Sequence, residues 1–275
     1  MKPSNIRLIA IDIDDTLLTS TGMLLPSVVS AVQRAQAAGI MVTLATGRTY
    51  PIAAPIAERL DLTTPLITNN GAVVRSRRSV HHHWPIARDM AVCVYSAAVA
   101  HGLTPLFFQG DGVYAEARDE RTDYYVSLGG MPPGFVGDAP RWLDTLTAAD
   151  EVSNILLIGE PGAASSLLPE LQAQFAGRLQ ITLSKPGLIE VTAHGVSKWK
   201  ALSALAGELA IAREHIMAIG DSLNDLEMLQ RAGIGVAVAN APVRVRKAAD
   251  FVVPSHDEGG VAVAVQMCLN GRLEP

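Results

Sequence analysis

The segment LIAIDIDDTLL, residues Leu8–Leu18, joins a run of apolar side chains to three aspartates. The aliphatic and β-branched residues predict a buried strand, and the acids predict where that strand ends. Because strand side chains repeat with a period of two, Asp12 and Asp14 are expected to start on one side, roughly 7 Å apart. Ligands of α/β proteins bind at the carboxyl ends of strands. The segment therefore predicts a binding site as well as a strand.

The alternation of strand and helix continues from that segment. Pro26–Ala38 has apolar residues at helical spacing, Ile40–Ala45 is a second apolar strand, and Pro51–Leu60 is a second helix. The same rhythm returns near the end of the chain, with a helix at Ser197–Leu209 and a strand at Ile216–Gly220. This order predicts an α/β fold with a doubly wound, mostly parallel, Rossmann-like sheet and right-handed crossovers.

The middle of the chain has a different pattern. Gly and Pro are frequent there and the strands are amphipathic, which predicts an inserted α+β domain, with the segment Met131–Pro140 as a loop. The predicted division is a first core segment at 1–83, the inserted domain at 84–190 and a second core segment at 191–275.

Composition excludes several classes of protein. The net charge is -5 and aromatic residues make up 5%, which argues against a nucleic-acid partner. The mean hydropathy is +0.24, but the longest charge-free run, Met90–Gly110, is broken by polar residues and does not predict a membrane span. Cys93 and Cys268 do not make a disulfide framework, and Met1–Arg7 lacks a signal-peptide pattern. A cytoplasmic protein without a membrane partner is expected.

The histidine triplet His81–His83 is a possible metal-binding feature. Three adjacent histidines in an extended segment are expected to point to alternate faces, so a polar connecting strand is the preferred interpretation.

Two further segments suggest anion binding. Thr46 and Gly47 follow the second strand, where a hydroxyl and an amide can donate to a phosphate oxygen, although Thr-Gly is also a common turn. Lys198 lies in the first turn of a predicted helix that Ser197 caps. A positive charge in the first turn interacts unfavourably with the helix dipole, and this cost is explained if the ammonium of Lys198 binds an anion. The alternative interpretation is an ordinary surface lysine.

A second acidic segment, IGDSLND, begins with the last two residues of the strand that ends at Gly220 and continues beyond it. Asp221 and Asp225 are four residues apart and share a face, although acids at a helix start also stabilise its dipole. Together with Asp12 and Asp14 they bring several carboxylates to one sheet edge. Oxygen ligands of this kind suit Mg²⁺, which takes one or two carboxylates plus a substrate phosphate.

Four motifs in this order, DIDDT, ATGR, SK and GDSLND, resemble those of the haloacid dehalogenase superfamily. The position of the large insert resembles the Cof-type subfamily, subclass IIB, with a C2B cap. The resemblance covers both core segments, while the insert matches only in position and element order. One departure is Asp15, which stands where many members carry Gly. The resemblance implies an α/β core with an inserted cap domain and a phosphatase that uses Mg²⁺ and an aspartyl-phosphate intermediate.

The resemblance also implies roles. Asp12 would be the nucleophile, and Asp14 would protonate the leaving alcohol and then activate water. The residues implied in metal binding are Asp12, Asp14 through its backbone carbonyl, Asp221 and Asp225. The groups implied in phosphoryl binding are Thr46, Gly47, Lys198 and Asn224.

The expected function is Mg²⁺-dependent hydrolysis of a small phosphorylated metabolite, a sugar phosphate or similar. Two alternatives remain open at this point: a phosphotransferase or phosphomutase on the same core, and a non-catalytic phospho-acceptor regulator. The substrate and the choice between monomer and homodimer are not decided by the sequence.

Overall fold

The computed structural model describes residues 5–147 and 150–272, and its strands lie in three sheets. The strands are β1 Leu8–Ile11, β2 Met41–Leu44, β3 Leu66–Thr68, β4 Val73–Arg75, β5 Val80–His83, β6 Thr104–Gln109, β7 Gly112–Ala115, β8 Gly134–Phe135, β9 Asn154–Ile158, β10 Leu179–Lys185, β11 Leu188–Ala193, β12 Ile216–Gly220, β13 Ile234–Val238 and β14 Phe251–Val253. The helices are α1 Pro26–Ala37, α2 Tyr50–Arg59, α3 Arg88–Ala100, α4 Glu120–Ser127, α5 Ala139–Thr145, α6 Pro161–Gln174, α7 Lys198–Glu208, α8 Leu226–Arg231, α9 Val243–Arg246 and α10 Gly260–Leu269.

The central sheet is parallel and has the order β14-β13-β12-β1-β2. A parallel bridge between Ala45 and Ile67 continues it to β3, which starts a small antiparallel sheet with β4 and β5. The chain leaves β1 towards β2 on one side and returns to β12 on the other. The carboxyl ends of β1 and β12 therefore form a topological switch point, where open α/β sheets bind ligands.

Both faces of the central sheet are covered, which explains the apolar run in β1. Ile9 and Ile11 pack into the cluster that includes residues of α1, α2 and α10. Leu8 and Ala10 point the other way and pack against α7 and α8. All four side chains are fully buried, as expected for a parallel sheet with helices on both sides.

The second large sheet, here called the cap sheet, has the order β10-β11-β9-β6-β7-β8 and is antiparallel except between β7 and β8. Helices α3, α5 and α6 cover one face of it. The opposite face carries an apolar cluster that includes Leu106, Phe108, Leu156 and Leu188, with Tyr125 of α4 packed against it. The predicted fold class, a doubly wound α/β core with an inserted α+β unit, is confirmed.

Three local predictions differ from the structure. The first strand ends at Ile11, directly before the acids as predicted, but Ile13–Leu17 then coil into a tight turn closed by the bond from the Leu18 amide to the Ile13 carbonyl. Asp14 therefore lies outside the strand, and the alternation of side chains along a strand does not determine where it points. The predicted loop Met131–Pro140 contains β8 and the beginning of α5.

The histidine triplet forms β5, but its first two side chains share a partner. His81 Nδ1 lies 3.1 Å from one Glu208 oxygen and His82 Nε2 lies 2.9 Å from the other. The register of β4 against β5 skips His81, which is the extra residue of a bulge. A bulge suspends the alternation of faces, so the expected alternate orientation is wrong for this pair.

No helix within residues 5–147 and 150–272 is long and apolar enough to cross a membrane.

Candidate active site

The switch point holds a cluster of three acids, Asp12, Asp221 and Asp225, here called the acidic cluster. Asp12 follows β1, Asp221 follows β12, and Asp225 lies in the turn before α8. One carboxylate oxygen from each lies within 4.8 Å of the others, and all three residues are buried. Parallel neighbouring strands that end at the same level place these acids together.

Lys198, the first residue of α7, lies inside this cluster. Its Nζ is 2.6 Å from Asp12 Oδ1 and 2.6 Å from Asp225 Oδ1, and its side chain is only 1% exposed. The Ser197 hydroxyl accepts the Lys200 amide and so caps the helix as predicted. Burial alone would lower the pKa of Lys198, but Asp12 and Asp225 outweigh it and raise that pKa above its ordinary value. The ammonium is therefore a fixed charge.

One ammonium does not balance three carboxylates. Burial raises the pKa of Asp12 well above its usual value, against the attraction of Lys198. Burial, and then repulsion from Asp225, raise the pKa of Asp221 to about 7, although the Thr16 hydroxyl donates to it at 2.8 Å. This donor set is made of hard oxygens and carries excess negative charge. It is therefore suited to a divalent cation.

Asp225 is held by protein donors on both oxygens. Its Oδ2 accepts the backbone amides of Asp221 at 3.1 Å and Ser222 at 2.9 Å, while Oδ1 faces Lys198. Gly220 makes room for it, since a Cβ there would lie 2.6 Å from Asp225 Cγ. With no exposed surface, Asp225 holds the loop and Lys198 in place.

Asp14 does not join the acidic cluster through its side chain. Arg48 Nε donates to Asp14 Oδ2 at 2.9 Å and an Arg48 terminal nitrogen donates to Oδ1 at 2.6 Å. Asp14 and Asp15 both lie in the turn after β1, in which Asp15 has a left-handed φ of 57°. Arg48, whose pKa rises through its bond to Asp14 despite burial, was not predicted as a site residue.

Three of the predicted anion-binding residues, Thr46, Gly47 and Asn224, contact Arg48 or Asn70. Thr46 is fully buried, and its hydroxyl oxygen accepts the Arg48 amide. Gly47 lies against the side chain of Asn70, whose Oδ1 accepts a bond of 2.8 Å from Asn224 Nδ2. Asn70 Nδ2 is buried without a hydrogen-bond partner among the described residues. Asn70, which has a positive φ, is a site residue that the sequence analysis did not single out.

The acidic cluster lies at the floor of a cavity of about 610 Å³ between the central sheet and the cap sheet. Of the predicted site residues, the ones that line it are Asp12, Asp14, Gly47, Lys198, Asp221 and Asn224. Thr46 and Asp225 are buried beside it. The upper wall comes from the apolar face of the cap sheet and from α4, through side chains such as Phe108, Leu156 and Tyr125.

A salt bridge joins the two sides of the cavity. Lys185, at the end of β10 in the cap sheet, donates to Asp15 Oδ2 at 2.6 Å, and both side chains are about two-fifths exposed. Asp15 also accepts a bond from Asn240 through its backbone carbonyl. The contact spans 170 residues of sequence, and apart from the unusual acid at position 15 no sequence pattern predicts this pairing.

Comparison with known proteins identifies the family of the chain. The family model of haloacid dehalogenase-like hydrolases matches residues 9–265. The 5-amino-6-(5-phospho-D-ribitylamino)uracil phosphatase YcsE of Bacillus subtilis is 30% identical over 263 residues, covering 95% of each chain.

Solved structures agree. A haloacid dehalogenase-like hydrolase of B. subtilis superposes with a TM-score of 0.85 at 28% identity, over 95% of this chain and 99% of that one. The subclass IIB sugar phosphatase BT4131 superposes with a TM-score of 0.83 at 25% identity, over 97% and 100% of the two chains. These matches support an enzyme that hydrolyses phosphoric monoesters. The chain belongs to the haloacid dehalogenase-like hydrolase family.

Proposed function

We propose that this protein hydrolyses a small phosphorylated metabolite with Mg²⁺, through a phosphoryl group carried on Asp12. The observation that supports this most directly is the buried ammonium of Lys198 between Asp12 and Asp225 at the floor of the cavity. Such a floor attracts a phosphate dianion and still presents a carboxylate to it. Asp12 is the nucleophile rather than Asp225, because Asp12 lines the cavity and Asp225 is saturated by protein donors.

In the first step an Asp12 oxygen forms a bond to phosphorus and the ester P–O bond breaks. The electron pair of that bond stays on the leaving oxygen, which takes a proton from the carboxylic acid form of Asp14. The position of Asp14, which lines the cavity outside the acidic cluster, supports this role. Arg48 donates to both Asp14 oxygens in the structure, and in the acid form it would orient the carboxyl group through the oxygen that carries no proton.

In the second step Asp14, now a carboxylate, takes a proton from water while the water oxygen forms a bond to phosphorus. The bond between phosphorus and Asp12 breaks, which restores the Asp12 carboxylate and releases inorganic phosphate. One residue therefore acts first as acid and then as base.

The residues that would hold Mg²⁺ are Asp12, Asp221 and the backbone carbonyl of Asp14, with Asp225 in support. The three buried carboxylates within 4.8 Å fit a hard cation. When bound, Mg²⁺ supplies positive charge that offsets the repulsion between the phosphate and the nucleophile. Lys198, Asn224 and the Gly47 amide contribute donors for the phosphoryl oxygens, and Thr46 supports them from its buried position. We also propose that residues 84–190 act as a cap that excludes water.

The nucleophile assignment is tested by Asp12→Asn. Phosphate release from p-nitrophenyl phosphate with Mg²⁺ is expected to fall below detection, because an amide does not attack phosphorus. The exposed helix residue Asp89 provides the matched control, and Asp89→Asn is expected to retain wild-type turnover. Undiminished turnover in Asp12→Asn would remove Asp12 from the role.

The role of Asp14 is tested by Asp14→Asn with mass spectrometry of the intact protein. A nitrophenolate leaves without help from an acid, so the first step proceeds while the second slows by a factor of about 10²–10⁴. The variant is expected to accumulate a phosphoryl adduct that Asp12→Asn does not form. Multiple turnover of the wild type excludes a regulator that only stores the phosphoryl group. Release of inorganic phosphate in the presence of excess alcohol, without a phosphorylated alcohol, excludes transfer.

A further inference from the structure

One acid stands on the apolar face of the cap sheet. Glu190 lies in β11, opposite Leu156 of β9, which is itself opposite Leu106 of β6. Two residues before Glu190, Leu188 points to the same face, and these leucines all belong to one apolar cluster. Glu190 also lines the cavity. Because side chains alternate along a strand, an apolar residue is expected at this position, and the carboxylate requires a physical explanation.

The side chains that hydrogen-bond to this carboxylate are neutral. Ser184 Oγ donates to one oxygen at 3.1 Å and Asn154 Nδ2 donates to the other at 3.1 Å. Among the described residues, no Lys, Arg or His nitrogen forms a salt bridge with Glu190, and the Lys198 ammonium already contacts Asp12 and Asp225. Burial raises the pKa of Glu190 to about 7, against the hydrogen bonds of neutral side chains and the more distant charge of Lys198, which lower it. A largely desolvated carboxylate without an ion-pair partner is unfavourable, and a ligand lying in the cavity can supply the missing donor.

Apart from a few polar groups such as Ser184 and the Tyr125 hydroxyl, much of the upper part of the cavity is lined by apolar side chains. They include Ile52, Phe108, Leu128, Leu156, Leu183 and Leu188. A polyol seated against them would lose hydrogen bonds to water and gain none from these side chains, at a cost for each buried hydroxyl. A ring or carbon-rich chain would gain from burial instead. The cavity of about 610 Å³ is large enough for such a body above the phosphoryl group.

We propose that Glu190 determines specificity and that the leaving group is an apolar ring or chain with an N–H donor, most favourably a protonated amine, directed at Glu190. This inference rests on the proposed phosphatase function, because it places the phosphoryl group at Asp12 and Lys198. The apolar wall then binds the body of the leaving group, and Glu190 recognises the donor.

A series of benzyl phosphates tests this. The probes are benzyl phosphate, its 3- and 4-aminomethyl derivatives, its 4-carboxy derivative and glucose 6-phosphate, each assayed for phosphate release. At least one aminomethyl ester is expected to exceed benzyl phosphate in kcat/KM by tenfold or more, mainly through KM. The carboxy ester and the sugar phosphate are expected to fall below benzyl phosphate.

The variant Glu190→Gln keeps the size of the side chain and removes its charge. Its amide can be accommodated because Asn154 Oδ1 is buried without a partner among the described residues and can accept a hydrogen bond after the Asn154 amide rotates. The ratio of the aminomethyl ester to benzyl phosphate is expected to fall at least tenfold. Glu160, an exposed cap residue outside the cavity lining, provides the control, and Glu160→Gln is expected to keep the wild-type ratio.

The outcomes separate the two proposals. Turnover of benzyl phosphate with equal rates for all derivatives, or an unchanged ratio in Glu190→Gln, overturns the role of Glu190 and leaves the phosphatase function standing. No phosphate release from any ester, p-nitrophenyl phosphate included, overturns the phosphatase function and the specificity proposal with it.

Discussion

Gly220 is the residue whose replacement tests the geometry of the acidic cluster most sharply. It is the last residue of β12, and a Cβ added there would lie 2.6 Å from Asp225 Cγ and 2.8 Å from Asp225 Oδ2. Ordinary contacts of this kind begin at 3.4 Å. In Gly220→Ala the Asp225 side chain must therefore move by several tenths of an ångström or more, and the fully buried surroundings leave it little room.

The cost follows from the bonds that Asp225 makes. Its Oδ2 accepts two backbone amides, at 3.1 and 2.9 Å, and its Oδ1 lies 2.6 Å from Lys198 Nζ. A hydrogen bond to a charged group contributes about 1.5–3 kcal/mol, and disruption of a buried ion pair costs about 3–5 kcal/mol. Because these contributions overlap, we expect Gly220→Ala to lower the free energy of unfolding by about 3–5 kcal/mol.

The assay is urea unfolding followed by far-UV circular dichroism, with phosphatase activity measured in parallel. Gly207→Ala is the matched control, because Gly207 lies in α7 and a Cβ there has nothing within 4 Å. That variant is expected to gain about 0.5–1 kcal/mol from helix propensity. If Gly220→Ala unfolds within about 1 kcal/mol of the wild type and remains fully active, the account of Asp225 as an anchored, positioning carboxylate is wrong.

Three other substitutions test separate parts of the structure. Lys198→Met leaves two buried carboxylates without their ammonium and should destabilise the protein by about 3–5 kcal/mol in urea; a stability equal to that of the wild type would contradict the buried pairing. Lys185→Met removes a half-exposed pair with Asp15, so the free energy of unfolding should change by under about 1 kcal/mol, while hydrogen exchange at the β10–β11 turn accelerates; unchanged exchange would contradict a tether. The third variant, Glu190→Gln, should become more stable than the wild type as pH rises from about 5 to 8. In the wild type the carboxyl ionises near its ordinary pKa in the unfolded chain but only at about 7 in the folded protein, so rising pH favours the unfolded wild type and does not affect the amide of the variant. The gain at pH 8 is at most about 3 kcal/mol, and a difference that does not vary with pH would refute this view of Glu190.

The acidic cluster could be predicted because its members follow strong local signals. Asp12 and Asp221 each terminate a fully apolar strand, and such strands are buried at the centre of a parallel sheet. The chain order of strands and helices then brings their carboxyl ends to one edge. Lys198 follows from the same reasoning, because Ser197 marks the beginning of its helix.

The contacts across the cavity could not be predicted in this way. Arg48 meets Asp14 through a turn in which Asp15 adopts a left-handed conformation, and no periodic pattern describes that turn. Lys185 and Glu190 reach the site only because the cap sheet lies over it. Side-chain periodicity specifies which face of a sheet is apolar, but not which part of the molecule that face will cover.

A signal for part of the cap was present but local. Helix α4, which carries Tyr125 to the cavity, begins with a capping box between Asp119 and Thr122. No helix was predicted there, because the segment lacks a clear apolar stripe. In the structure only Thr122 of this helix is fully buried. Capping chemistry was the better guide than hydrophobic periodicity for a short helix on the surface of a sheet.

Asp15 shows how a departure from the family pattern can be read physically. Many family members carry Gly at this position, and the observed φ of 57° is one that Gly adopts without strain. Asp tolerates the left-handed region better than most residues, so the turn that contains Asp14 is kept at a small cost. The side chain then supplies what Gly lacks, an ion pair with Lys185 of the cap sheet at 2.6 Å. Because the adjacent residue is the proposed acid and base, the position of the cap is linked directly to the turn that contains Asp14.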